Sequence, residues 1–220
     1  MQSPDEAETG AQMTPREAQD TLSTIRTLME RGTVYKNISS ASAIAAGLVT
    51  LAGCAVRAAG ILPFDDKWSF FTVWGSVFAV AVAAIVGFTA AEANRNGEPL
   101  WSRSARTVVF SILPAFLAAV VLSHVLFQRD LRDLLPGTWM LLYGCGALAM
   151  SFFTPLSIRI LGIAFMAAGT IALCFLPGHD VLAMGVSFGG IHLAWGMALW
   201  VQRQQFAARQ APDGLAVQDR

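Results

Sequence analysis

Residues 70–91 read FFTVWGSVFAVAVAAIVGFTAA, a run without a single Asp, Glu, Lys or Arg. At 1.5 Å per residue an α-helix of this length is about 33 Å long, enough to cross the roughly 30 Å hydrocarbon core of a bilayer. In lipid a single segment must satisfy its own backbone hydrogen bonds, which only a helix does. A barrel strand would be shorter and would alternate apolar with polar residues. Within the run, Gly75, Ala79, Ala83 and Gly87 recur every four residues. One side of the helix is therefore nearly bare, which lets a neighbouring backbone approach.

The same reading extends in both directions. Apolar segments span about 39–62, 69–92, 106–128, 135–155, 157–177 and 181–202. Thr154, Pro155 and Leu156 separate the fourth from the fifth, and the proline makes a tight hairpin there. The expected fold class is all-α: an integral membrane bundle of about six transmembrane helices. The composition agrees, with 55% hydrophobic and 14% charged residues against about 25% charged in soluble domains. The net charge is zero and no basic patch is present, so nucleic acid is not an expected partner.

The polar residues collect at the two ends. Residues 1–13 form an acidic tail expected to be disordered, and their acidity does not fit the basic start of a signal peptide. Thr14, Pro15 and Glu17 make the start of a helix with a capping box. Ala18, Leu22, Ile25 and Met29 then form one apolar stripe, opposite Arg16, Asp20, Arg26 and Glu30. The segment 14–36 is expected to be an amphipathic helix and linker whose stripe (Leu22, Ile25, Met29) meets a partner protein, a second copy or the bilayer surface. Residues 37–202 form the transmembrane domain, and 203–220 a polar tail.

Positive charge orients the bundle. The N-terminal segment, the second loop, Arg159 and the C-terminal tail carry eleven Lys and Arg, while Arg57, Lys67, Arg129 and Arg132 lie on the other side. Cytoplasmic loops carry the excess of basic residues. Both termini are therefore expected in the cytoplasm, with Trp68 and Trp74 at the outer interface and Trp101 and Trp200 at the inner one. Further small-residue stripes occur in the other helices, including Gly185, Gly189 and Gly196 in the last, where His192 is expected on nearly the same face. Pro114 is expected to bend the third helix.

Candidate chemistry is sparse. His192 lies near mid-membrane, where a polar side chain normally faces protein or water. It reads either as a proton-responsive or ligand-contacting group, or as a histidine bonded to a neighbouring hydroxyl or carbonyl. His124 and Arg57 sit near the outer ends of their helices, with Arg57 expected to snorkel to the interface. Asp65, Asp66, His179 and Asp180 share that side, but no metal-ligand spacing joins them. Cys54, Cys145 and Cys174 form no C-x-x-C pair and read as small buried hydrophobes. Gly185-Val186-Ser187-Phe188-Gly189 matches the serine-hydrolase G-x-S-x-G pattern, but that motif needs a strand-to-helix elbow, and here it falls inside a membrane helix. No catalytic residues, metal or cofactor are expected.

Two stretches carry a resemblance. Ile25–Arg31, Asn37-Ile38-Ser39-Ser40 and Ala46-Gly47-Leu48 resemble the opening of a group of uncharacterised bacterial multi-pass inner-membrane proteins. Phe188-Gly189-Gly190-Ile191-His192-Leu193-Ala194-Trp195-Gly196 is similar to their last helix, with Trp195 where that pattern often has Tyr. The resemblance implies a bacterial inner-membrane location and no enzymatic activity. It also implies company with small winged-helix regulators, and hence a regulated stress or envelope role. The leading expectation is a non-enzymatic sensing or scaffold protein that contacts the lipid bilayer, and through its N-terminal helix a cytoplasmic partner or its own copy. The alternative is a small dimeric transporter or channel.

Overall fold

The computed structural model describes residues 14–22, 40–61, 67–97 and 99–210. All regular structure among them is helical. Helix α1 covers 15–22, and its capping box forms as expected. The Thr14 N–H and hydroxyl donate to Glu17 Oε2 (2.8 and 3.0 Å), and the Glu17 N–H donates to Thr14 Oγ1 (3.3 Å). The Thr14 backbone N–H, and then its hydroxyl, hold the Glu17 carboxyl below its ordinary pKa. Leu22 is exposed; Ile25 and Met29 lie outside the described residues, as do Asp65 and Asp66.

The bundle consists of α2 (Ser40–Ala58), α3 (Lys67–Arg95), α4 (Arg103–Gln128), α5 (Leu135–Met150), α6 (Leu156–Phe175) and a last helix in three parts. Those parts are α7 (Asp180–Met184), a π-helical stretch (Gly185–Ile191) and α8 (His192–Gln210). Each apolar segment of the sequence becomes a helix, and five of the helices are long and apolar enough to cross a membrane. The fourth segment does not reach that length. Its α5 has 16 residues, about 24 Å, because a 3-10 turn (Arg132–Leu134) precedes it and a turn at 151–155 ends it. Helix α4 runs unbroken through Pro114.

Two seams of close backbone contact hold the bundle. In the first, α5 and α6 form an antiparallel hairpin. A Cβ placed on Gly144 would lie 2.8 Å from Gly162 O, and one on Gly169 would lie 2.9 Å from Gly137 O. Both pairs are centred on Phe153 in the connecting turn, so glycine faces glycine along one register. In the second, α2 lies against the last helix: Gly189 meets Leu51, Gly47 meets Leu193, and Gly196 meets Ile44, each closer than a Cβ would allow. Gly185 approaches Cys54 at ordinary contact distance.

The stripe that opened the sequence reading behaves differently. Gly75, Ala79, Ala83 and Gly87 are all exposed, and a Cβ on Gly75 or Gly87 would meet nothing within 4 Å. Within the subunit this stripe is not a packing seam. Helix α3 instead packs through the other side of its first half, where Phe70, Val73 and Trp74 are buried. Trp74 is thus a core residue rather than part of an interfacial belt, whereas Trp68, Trp101 and Trp200 are exposed. Of the cysteines only Cys54 is buried; Cys145 and Cys174 face outward.

The outer surface of α3 and α4 exposes large apolar side chains along its length, among them Phe78, Val86, Phe110, Leu117, Val120 and Val121. A water-soluble monomer rarely shows a continuous apolar surface of this extent. Together with five membrane-length helices, it makes this a membrane protein.

Candidate functional site: an aromatic cleft ending at Tyr143 and His192

The last helix widens into its π-helical stretch where Gly185, Gly189 and Gly190 remove side-chain bulk. Single π turns within α-helices concentrate at functional sites. The stretch ends at His192, whose N–H donates to Gly189 O. The imidazole Nδ1 lies 3.1 Å from Phe188 O, the carbonyl that a regular α-helix would pair with the His192 N–H. On the other side of the ring, Nε2 lies 2.9 Å from the Tyr143 hydroxyl of α5.

These two contacts fix the tautomer. A backbone carbonyl only accepts, so Nδ1 carries the proton and donates it to Phe188 O. Nε2 then has only a lone pair, and the Tyr143 O–H donates to it. Rings enclose the pair. Phe188 stacks on His192 with centroids 5.9 Å apart, and Phe165 of α6 meets His192 at 5.1 Å and Tyr143 at 4.5 Å. His192 is 5% exposed. It does not share the seam of Gly189 and Gly196: those glycines meet α2, while His192 turns toward α5 and α6.

A cleft of about 590 Å³ reaches this pair between α3, α4, α5 and the last helix. Its walls are mostly apolar, and nine aromatic rings line it, including Phe71, Trp74, Phe116, Trp139 and Phe188. Small side chains at Ala81 of α3 and at Ala115 and Ala119 of α4 leave the room. His124 lines the same cleft beside Phe127 and is exposed. The two histidines expected at separate depths therefore border one space. No Asp, Glu, Lys or Arg is among the described lining residues.

Arg57 belongs to a different place and does not simply snorkel. Its Nε makes a short ion pair with Asp180 at the start of α7, both side chains being mostly buried. The Trp74 indole N–H donates to the same carboxylate oxygen (3.1 Å), the guanidinium lies 5.9 Å from the Phe70 ring centroid, and the Cys54 thiol donates to Val181 O. This cluster clamps α2 and α3 to the last helix at one end of the bundle, and Glu92 and Arg203 (3.5 Å) join α3 to α8 at the other.

Ser187 of the G-x-S-x-G pattern is buried, and its hydroxyl donates to Ala183 O one turn back (2.6 Å), while His192 is engaged by Tyr143. The structure does not bring the two together as a hydrolytic pair. Among the described residues no group of three His, Cys, Asp or Glu side chains is placed to hold a metal ion.

Sequence reasoning singled out His192 and His124 and missed Tyr143, Trp139 and Phe188. Tyr143 is one of only two tyrosines in the chain and stands between Leu142 and Gly144 in a charge-free run, and that rarity was the available signal. Comparisons with protein-family models, with curated proteins and with solved structures return no match to this chain.

Proposed function

We propose that this protein is a non-enzymatic sensor of the bacterial inner membrane that takes a small, largely apolar molecule into the cleft ending at Tyr143 and His192. In this reading the chain crosses the membrane six times, α5 included, with both termini in the cytoplasm. The observation that carries the proposal is the cleft itself. The cleft opens sideways past the exposed Phe78 and Val120 and runs inward to the buried His192; a purely scaffolding bundle would fill that inner end with side chains, because interiors pack to crystal-like density. About 590 Å³ is instead within the range of sites for small organic ligands, which are mostly apolar with a few placed polar groups.

The wall composition favours a lipid-soluble occupant. An ion or polar solute would need charged or carbonyl groups along its path, and the described lining residues include no charged side chain. That weighs against the transporter or channel reading. The floor of the cleft is the π-helical stretch, which continues into α8 and its ion pair with Glu92. Filling the cleft would therefore bear on the helix that leads to the other end of the bundle.

The test is native mass spectrometry of the intact protein released from mild detergent. The expected result is an adduct of a lipophilic small molecule, lost in Ala119→Phe, which fills the cleft from α4. Unliganded protein with an unchanged spectrum in the variant would overturn the ligand-sensing reading and leave the scaffold reading.

A further inference from the structure

The hydrogen-bonding groups along the cleft are unequal in kind. A hydroxyl has one proton to donate and lone pairs to accept with, an indole N–H only donates, and a neutral imidazole has one of each. The Tyr143 O–H is donated to His192 Nε2, and the His192 Nδ1 proton to Phe188 O. Trp139 donates its indole N–H to Ser123 Oγ (2.8 Å), and the Ser123 hydroxyl donates onward to Ala119 O (2.6 Å). Thr50 Oγ1 donates to Ala46 O (2.9 Å), and Trp74 donates to Asp180.

Among the described lining residues every donor is thus already engaged, except those of Trp68 and His124. Both of these are exposed and lie beside Phe127, where α3 begins and α4 ends, whereas Tyr143 stands at the middle of α5; the Trp68 and Phe127 ring centroids are 4.9 Å apart. What remains unused toward the inner part of the cleft is acceptor capacity: the lone pairs of the Tyr143 and Thr50 hydroxyl oxygens, and one on Ser123 Oγ.

From this we infer that the cleft selects a lipophilic alcohol or phenol, which inserts its hydroxyl toward Tyr143 and lays its apolar body against the aromatic walls. The inference rests on the ligand-binding reading above and narrows it. A ligand whose only polar group is a carbonyl or ether brings another acceptor to a floor with no proton to offer, and loses its hydration without replacement. A ligand hydroxyl donates to Tyr143 Oη, and this strengthens the existing chain, because a phenol that accepts a hydrogen bond is a better donor to the imidazole.

The test compares three probes that share one ring system: 2-naphthol, its methyl ether and 2-acetylnaphthalene. Each is titrated into the full-length protein in nanodiscs and followed by quenching of tryptophan fluorescence, with correction for partition into the same nanodiscs without protein. Naphthol is expected to bind about five- to ten-fold more tightly than the other two, the worth of one neutral hydrogen bond in an apolar site. Equal affinity for all three, abolished by Ala119→Phe, would overturn the donor selection while leaving the cleft a binding site. Protein-dependent quenching by none of them would overturn the ligand-binding reading itself.

His192→Phe supplies a second reading of the same proposal. It frees the Tyr143 O–H to donate, so the ketone is expected to gain affinity until the preference for naphthol is lost. An unchanged preference in a folded His192→Phe protein would overturn the role assigned to the Tyr143–His192 pair. If that variant does not fold, the comparison of the three probes on the unaltered protein decides the matter alone.

Discussion

Within the bundle His192 is held by two bonds of different origin, one from its own helix and one from α5. The first is local, a product of the π-helical turn. The second joins residues 49 positions apart and is the one that ties the last helix to α5. Replacing Tyr143 with Phe keeps the ring contacts to Phe165 and Phe188 and leaves Nε2 without its donor. Interhelical hydrogen bonds in membrane proteins contribute about 0.6 kcal/mol on average and up to about 1.7, and a stranded buried acceptor costs about 1–3 kcal/mol. Tyr143→Phe is therefore expected to destabilise by about 1 kcal/mol, seen as a lower melting temperature in detergent; an unchanged value would mean that the pair does not tie α5 to the last helix. The histidine was legible in the sequence because an imidazole in a charge-free run has few reasons to be there. The tyrosine was not, because only the fold brings it to the histidine.

At the level of elements, small residues turned out to mean two different things. Gly144 and Gly162 lie against each other's backbone, where neither side can give way. Gly87 has open space around it. Gly144→Ala is expected to destabilise by about 1–3 kcal/mol through overpacking, whereas Gly87→Ala is expected to be neutral or to stabilise by up to about 1 kcal/mol through helix propensity alone. Unfolding both variants in the same detergent checks the contrast, and equal effects would refute the assignment of seams. The α5–α6 seam was in fact written in the sequence: Gly137 and Gly144, then Gly162 and Gly169, are two seven-residue spacings mirrored about Phe153. The α3 stripe is the more regular pattern of the two, yet regularity along a helix says only that one face is smooth and not which neighbour meets it.

For the whole molecule, the passage of α5 decides the topology. With 16 residues it is the shortest of the bundle helices, yet its glycine register runs it alongside most of α6, a helix of membrane-spanning length. If α5 crosses, its two ends lie on opposite sides. Cysteines introduced at Leu131 and Phe152, both exposed, in a protein lacking the three native cysteines, are then expected to react with a membrane-impermeant maleimide from opposite faces of oriented vesicles, Phe152→Cys from the cytoplasmic face. Labelling of both from one face would leave five crossings and place the termini on opposite sides.

The sequence by itself determined the membrane class, the helical character and five of the six segment assignments as membrane-length helices, since each follows from local apolarity over a fixed length and from the need of a backbone in lipid to bond to itself. It also located the capping box at Thr14 and Glu17 and the hairpin turn at Pro155, which depend on residues within one turn of each other. The tertiary structure alone decided that Trp74 is core, that Arg57 pairs with Asp180, that the α3 stripe faces outward, and that Tyr143 and His192 close an aromatic cleft. Each of these depends on how one helix is rotated against another, and that rotation is set by the sum of many small packing contacts between segments far apart in the chain.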